Sequence, residues 1–184
     1  HIYLYDTLTG KVKKQLTSGA WVVKNIIRVD EAKRSLIFKA CGMDKNEDPY
    51  LEKYYSLNMI NGKIQALTPE NGNHEVTFSD DYKYMVDSYS RVDMIPTMVV
   101  RSAVNGKVIF KPENQPNIDE VFATGWRMPE VFSAKGRDGQ TDIWGVIIRP
   151  TNFDPNKKYP IVEYIYAGPH DSHVPKSFAI AHRC

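Results

Sequence analysis

Three segments of this chain share one layout, and that repeat narrows the possible folds more than any other property does. They are Ile2-Tyr-Leu-Tyr-Asp-Thr-Leu-Thr-Gly10-Lys-Val, Tyr54-Tyr-Ser-Leu-Asn-Met-Ile-Asn-Gly62-Lys-Ile and Met98-Val-Val-Arg-Ser-Ala-Val-Asn-Gly106-Lys-Val. Each is a β-rich run, a turn, then Gly-Lys and a β-branched residue. Asn61-Gly62 and Asn105-Gly106 are favoured hairpin dipeptides, because both residue types tolerate positive φ. The glycines fall at positions 10, 62 and 106, a spacing that suits four-stranded propeller blades of roughly 40–50 residues. Gln15-Leu16-Thr17 and Ala66-Leu67-Thr68 end their units alike, which supports a common register.

The stretches between the repeats supply the remaining strands. Val22 to Val29 and Ser35 to Ala40 read as strands across the Asp30-Glu31-Ala32 turn. Glu75 to Phe78 and Tyr82 to Tyr89 read as a similar pair across Ser79-Asp80-Asp81. One blade is expected from about Trp21 to Thr68, and a second from about Glu75 to Pro112. Residues 1–18 would be the last two strands of a preceding blade, and Met43 to Glu52, polar and carrying Pro49, a loop. About two and a half blades cannot close a ring of 4–8. The expectation is therefore a piece of a longer protein, with further blades upstream of His1.

After Pro112 the repeat stops. Three strand candidates follow, Glu130 to Ala134, Asp142 to Arg149 and Tyr159 to Ala167, with a hairpin turn at Lys135 to Gly139. The third is nearly continuous in apolar and aromatic residues, as in a strand buried on both faces of an open α/β sheet. The expected fold is thus mainly β: a partial β-propeller followed by the first strands of an α/β-hydrolase sheet. The expected domains are residues 1–126 and 127–184.

Composition excludes some partners. The net charge is only +2 and basic residues are interleaved with acids, which argues against nucleic acid or a membrane surface. The best apolar run, Tyr159 to Ala167, is far too short to span a membrane and is broken by Glu163. Cys41 and Cys184, far apart in sequence, read as two unrelated reduced thiols.

Phe153-Asp154-Pro155-Asn156-Lys157-Lys158-Tyr159-Pro160, followed by Tyr166-Ala167-Gly168-Pro169, resembles the dipeptidyl peptidase IV branch of the prolyl oligopeptidase family of serine peptidases. Met128-Pro129 is similar to that family's entry to the hydrolase domain. His1-Ile2, Trp21 and the Gly and Leu-Thr positions of the blades are similar to the end of its propeller. The resemblance covers most of the chain, and the order and spacing of the motifs carry it.

The resemblance implies an enzyme that releases N-terminal dipeptides, X-Pro or X-Ala, through an acyl-enzyme formed by a Ser-His-Asp triad. Tyr166 would donate its phenol to the developing oxyanion. Read from the residues alone, Tyr166 is one more buried aromatic beside Tyr164. Tyr5 would lie beside the substrate pocket, its bland reading being an ordinary strand aromatic. Peptide substrates, an extracytoplasmic location and a homodimeric parent are implied as well, with no cofactor and no metal. The chain holds no Gly-x-Ser-x-Gly elbow, so the triad is expected downstream of Cys184 and the chain alone is expected to be inactive. Exposed blade edges predict self-association. The other reading is a non-catalytic β-rich module that binds a protein partner.

Two local constellations carry less. Asp171-Ser172-His173 are neighbours that cannot face one another as a triad does. His170, His173, His182 and Cys184 fit no helix-borne zinc spacing.

Overall fold

The Gly-Lys repeats fold into hairpins of one design. In each, the residue four before the glycine accepts its N–H: Gly10 donates to Asp6, Gly62 to Asn58 and Gly106 to Ser102, at 2.9, 2.8 and 2.8 Å. The same residue donates its own N–H to the carbonyl of the following lysine, Lys11, Lys63 or Lys107. Its side chain then caps the turn. Asp6 Oδ1 accepts from Leu8 and Thr9, Asn58 Oδ1 from Ile60 and Asn61, and Ser102 Oγ from Val104. Only the glycines reach positive φ, at 66°, 75° and 75°; Asn61 and Asn105 do not. The Asn-Gly reading placed the hairpins correctly but not their turn type. A loop of this length needs one left-handed residue, and an Asx or Ser turn supplies the rest.

The computed structural model describes residues 1–166, 168 and 172–181. Two units make up the chain: His1–Tyr89 with Met98–Glu113, and Ser90–Thr97 with Asn114–Cys184. Ala167, Pro169, His170, Asp171, His182 and Cys184, which the sequence reading singled out, lie outside the described residues.

The propeller strands form three antiparallel sheets. β1 (Tyr3–Tyr5) pairs with β2 (Val12–Gln15). β3 (Val22–Asp30), β4 (Ser35–Cys41), β5 (Glu52–Asn58) and β6 (Ile64–Ala66) follow one another in a four-stranded sheet. β7 (Asn73–Phe78), β8 (Tyr84–Arg91), β9 (Met94–Ser102) and β10 (Val108–Phe110) form the next. This is the expected two, four and four strands; the bounds proposed for β3, β4, β7 and β8 agree within two residues, while β9 begins at Met94, four residues before the expected Met98.

The Leu-Thr repeats close their blades with a shared pair of bonds. Leu16 N–H donates to Ile2 O while Ile2 N–H donates to Thr17 Oγ1. Leu67 N–H donates to Tyr54 O while Tyr54 N–H donates to Thr68 Oγ1. Both threonines are buried, so each hydroxyl satisfies a backbone donor that water does not reach.

The core of the first unit lies between sheets. Ile2 and Leu16 pack on Leu36, Phe38, Ala40, Tyr55 and Leu57, filling the gap between the β1–β2 pair and its neighbour. Tyr54, Leu67, Met85 and Ala103 fill the next gap, with Ile27, Ile37, Val76 and Phe78 at its margin. His1, Trp21, Phe38 and Tyr55 run through the first gap as a file of rings with centroids 4.9, 6.0 and 5.6 Å apart. That file accounts for Gly19, where φ is +133° and a Cβ would strike the Trp21 indole.

In the second unit, α1 (Asp119–Ala123) is a short helix that sequence reading left irregular. β11 (Glu130–Lys135) and β12 (Asp142–Ile147) form the expected hairpin, its ends tied by Arg149 to Glu130 at 2.5 and 2.9 Å. Trp126 donates its indole N–H to Ile180 O at 3.0 Å and packs on Phe122 and Phe178.

Among the described residues the third expected strand is not formed, and no α/β-hydrolase sheet is seen. The described part of Tyr159 to Ala167 is irregular, with Ile161 and Val162 about nine-tenths exposed (93% and 88%). A central strand needs hydrogen-bonding partners on both edges, and no strand of the described residues pairs with this one.

Candidate functional site

Strand alternation puts three polar side chains where apolar ones belong. On β7, His74 is in phase with Val76 and Phe78; on β8, Asp87 with Met85 and Tyr89; on β9, Arg101 with Val99 and, one residue past the strand's end, Ala103. All three are essentially inaccessible, at 1%, 0% and 1% exposure. Burial of polar groups on this scale persists only when they satisfy one another.

They do so as one network. Arg101 donates Nε–H to Asp87 Oδ2 at 2.7 Å, an Nη2 proton to Glu70 Oε2 at 2.6 Å and an Nη1 proton to Gly106 O at 3.1 Å. His74 Nδ1 lies 2.8 Å from Asp87 Oδ1, and its Nε2 lies 3.0 Å from Glu70 O. Tyr89 covers the group, stacking on His74 at 4.9 Å. Burial opposes the Arg101 charge, but the hydrogen bonds it donates to Glu70 and Asp87, with their negative charges, outweigh it and raise the guanidinium pKa.

The ligand atoms of Glu70, His74 and Asp87 lie within 4.8 Å of one another, close enough for a metal ion. The Arg101 guanidinium already bonds both carboxylates. The donor set suits a fixed organic cation that locks strands together, not an exchangeable metal. Sequence reading passed over this network. Its signal was a His, an Asp and an Arg each in the apolar phase of consecutive strands.

A second buried cation, Lys53, ties the loop between β4 and β5. Its ammonium lies 2.9 Å from Asp44 and 2.6 Å from Glu47. Burial raises the pKa of neighbouring Tyr55, and the two carboxylates add to the rise. An open groove of about 440 Å³ runs beside the His74 network, lined by Lys39, Glu52, Tyr54, Asn73 and Met98 among others. Lys39 and Glu52 pair with each other across it.

Tyr5 lies on β1 and Tyr166 in the irregular segment after β12, in different units. Tyr5 is 55% exposed and shares its strand face with Tyr3, while Leu4 turns inward against the core. Tyr166 is 57% exposed. It does not end a buried strand as expected, because that strand is not formed. Its ring lies 5.8 Å from His173, which in turn lies 4.8 Å from Tyr164.

Comparison with known proteins gives a consistent result. The sequence profile of the dipeptidyl peptidase IV (DPP IV) N-terminal region matches residues 1–96. A probable dipeptidyl-aminopeptidase B from Aspergillus terreus is 27% identical over 184 residues, covering 98% of this chain and 20% of its own. Human dipeptidyl peptidase 8 is 27% identical over 170 residues, covering 84% of this chain and 18% of its own. The chain thus spans about a fifth of the length of the curated relatives it matches. Among solved structures, Porphyromonas gingivalis dipeptidyl peptidase 4 superposes with a TM-score of 0.76 at 24% identity, over 97% of this chain and 24% of that one. A Bacteroides ovatus protein described as a dipeptidyl aminopeptidase IV superposes at 0.69 with 32% identity, over 92% and 23%.

Proposed function

The chain belongs to the dipeptidyl peptidase IV family, and from that premise we propose that it serves a serine peptidase that releases dipeptides from peptide N-termini. The observation that carries this reading is the order of parts: propeller blades, then the Tyr-Pro stretch that leads to Tyr166-Ala167-Gly168-Pro169. The names of the relatives support it.

The chemistry is acyl transfer. A serine attacks the scissile carbonyl, and the oxygen of the tetrahedral intermediate gathers negative charge. Tyr166 donates its phenolic proton in a hydrogen bond to that oxygen. A neutral donor is useful there because it stabilises charge that exists only near the transition state. Tyr5, exposed on β1, walls the peptide site. Proline or alanine precedes the cleaved bond. This chain lacks the serine elbow, so by itself it hydrolyses nothing.

The test uses the full-length gene product on X-Pro and X-Ala chromogenic dipeptides. Tyr166→Phe should lower kcat by about 10²–10³-fold, equivalent to about 2.7–4 kcal/mol. An inert full-length protein would favour a binding module instead. Two further proposals extend the reading: association between copies through exposed strand edges, and an extracytoplasmic location, which cell fractionation would check.

A further inference from the structure

We propose that His74 is held as an imidazolium, and that its second proton locks the link between the two four-stranded sheets. The inference is independent of the peptidase reading, because it concerns the joint between blades and not the chemistry of cleavage.

Both ring nitrogens face acceptors. Nδ1 lies 2.8 Å from Asp87 Oδ1, and Nε2 lies 3.0 Å from the Glu70 carbonyl oxygen. A backbone carbonyl has no proton to give, and neither has an ionised carboxylate. Asp87 pairs as a carboxylate with Arg101, whose Nε–H reaches its other oxygen at 2.7 Å. A neutral imidazole carries one N–H, so its other nitrogen would turn a lone pair on a buried oxygen. Turning the ring over places carbon at both positions and forfeits both bonds. The imidazolium satisfies both contacts at once.

Charge balance agrees. Arg101 bonds the carboxylates of Asp87 and Glu70. With a neutral His74, one cation would face two carboxylates; with an imidazolium, two face two. Tyr89 presents its ring to both cations, 4.9 Å from the imidazole and 6.0 Å from the guanidinium carbon. An aromatic face favours positive charge. The other ionisable groups around His74 are Lys39, Glu52, Tyr54 and Glu75, along the adjoining groove. Lys39 and Glu52 neutralise each other, and burial favours the neutral phenol of Tyr54. Glu75 is exposed to solvent.

The proton has a mechanical consequence. Residues 67–72 carry the chain from β6 to β7, and Glu70 lies among them. His74 holds its carbonyl and Arg101 its carboxylate. When this segment opens, the freed histidine gives up its extra proton above about pH 6.5, the ordinary value. The closed blade keeps it. The lock is therefore complete below that pH. It weakens as pH rises, by up to about tenfold per unit, until the buried ring itself loses the proton.

The experiment uses the full-length gene product. Neutron diffraction from perdeuterated crystals at about pH 7, where an ordinary histidine is mostly neutral, should show deuterium on both Nδ1 and Nε2 of His74. A ring with deuterium on one nitrogen overturns the proposal, wherever the other deuterium lies. Amide hydrogen exchange of the peptide spanning Glu70 to Val76, compared between wild type and His74→Gln, tests the lock. At about pH 6 the wild type should exchange at least about tenfold more slowly, the scale of one charged hydrogen bond. Taking the ratio for the same amides cancels the intrinsic pH dependence of exchange. That ratio should shrink as pH is raised to about 8.5. A ratio that stays flat or grows overturns the proposal, because a histidine that is neutral in the blade and merely fills space would give that result. If His74→Gln does not fold, the diffraction experiment decides alone.

Discussion

Arg101 is the residue on which the second four-stranded sheet turns. It reaches Asp87 on β8, Glu70 before β7 and the Gly106 carbonyl in the β9–β10 hairpin, so one side chain spans the blade. Arg101→Met should cost about 3–5 kcal/mol of unfolding free energy, because it strands the buried Asp87 carboxylate without its strongest partner. Arg101→Lys should be nearly as damaging, since a single ammonium cannot reproduce three divergent donors. Urea denaturation of the chain measures both. A loss below about 1 kcal/mol for either would show that the blade does not depend on this network.

The hairpins, as elements, are bonded alike but packed differently. Gly10 and Gly62 stand in open space, whereas a Cβ on Gly106 would lie 2.5 Å from the Leu67 carbonyl oxygen of the preceding sheet. Gly10→Ala and Gly62→Ala should each cost about 1–2 kcal/mol, the penalty of a left-handed backbone alone. Gly106→Ala should cost clearly more, and equal losses at all three sites would refute the close approach. The turn carboxylates give these elements an acid-sensitive contribution. Asp6 and Asp138 are held at about 2, Asp6 first by its bond from Lys13 and Asp138 by its bond from Thr141, against an ordinary 3.8. Each titrates below its unfolded value, so its contribution is complete above about pH 4 and disappears as pH falls through 2. Asp6→Ala should lower Tm near neutral pH and make little difference near pH 2.

For the molecule as a whole, strand edges are the exposed feature. β3 carries Val22, Ile26 and Val29 at 51–56% exposure, and all three residues of β10 are about half exposed. Both are edge strands of their sheets. Unpaired edges with apolar side chains recruit strands from other copies. The isolated chain should therefore associate with rising concentration in light scattering, and Ile109→Lys on β10 should weaken that association. A monodisperse monomer would count against it.

Most of the propeller was legible in residue order because its signals are local. A strand such as Val22–Asp30 shows as a β-rich run, and each Gly-Lys hairpin completes its bonds within six residues, so neither waits on distant chain. The family resemblance was legible too, since it rests on motif order. The tertiary structure decided what depends on distant partners. Asp87 meets His74 and Arg101 across 13 and 14 residues of chain and Arg101 meets Glu70 across 31, and the phase of each residue in its own strand does not say which others it will meet. Gly106 differs from Gly62 only because Leu67 comes near. The run from Tyr159, nearly continuous in apolar and aromatic residues, stays irregular among the described residues because a central strand exists only beside its neighbours.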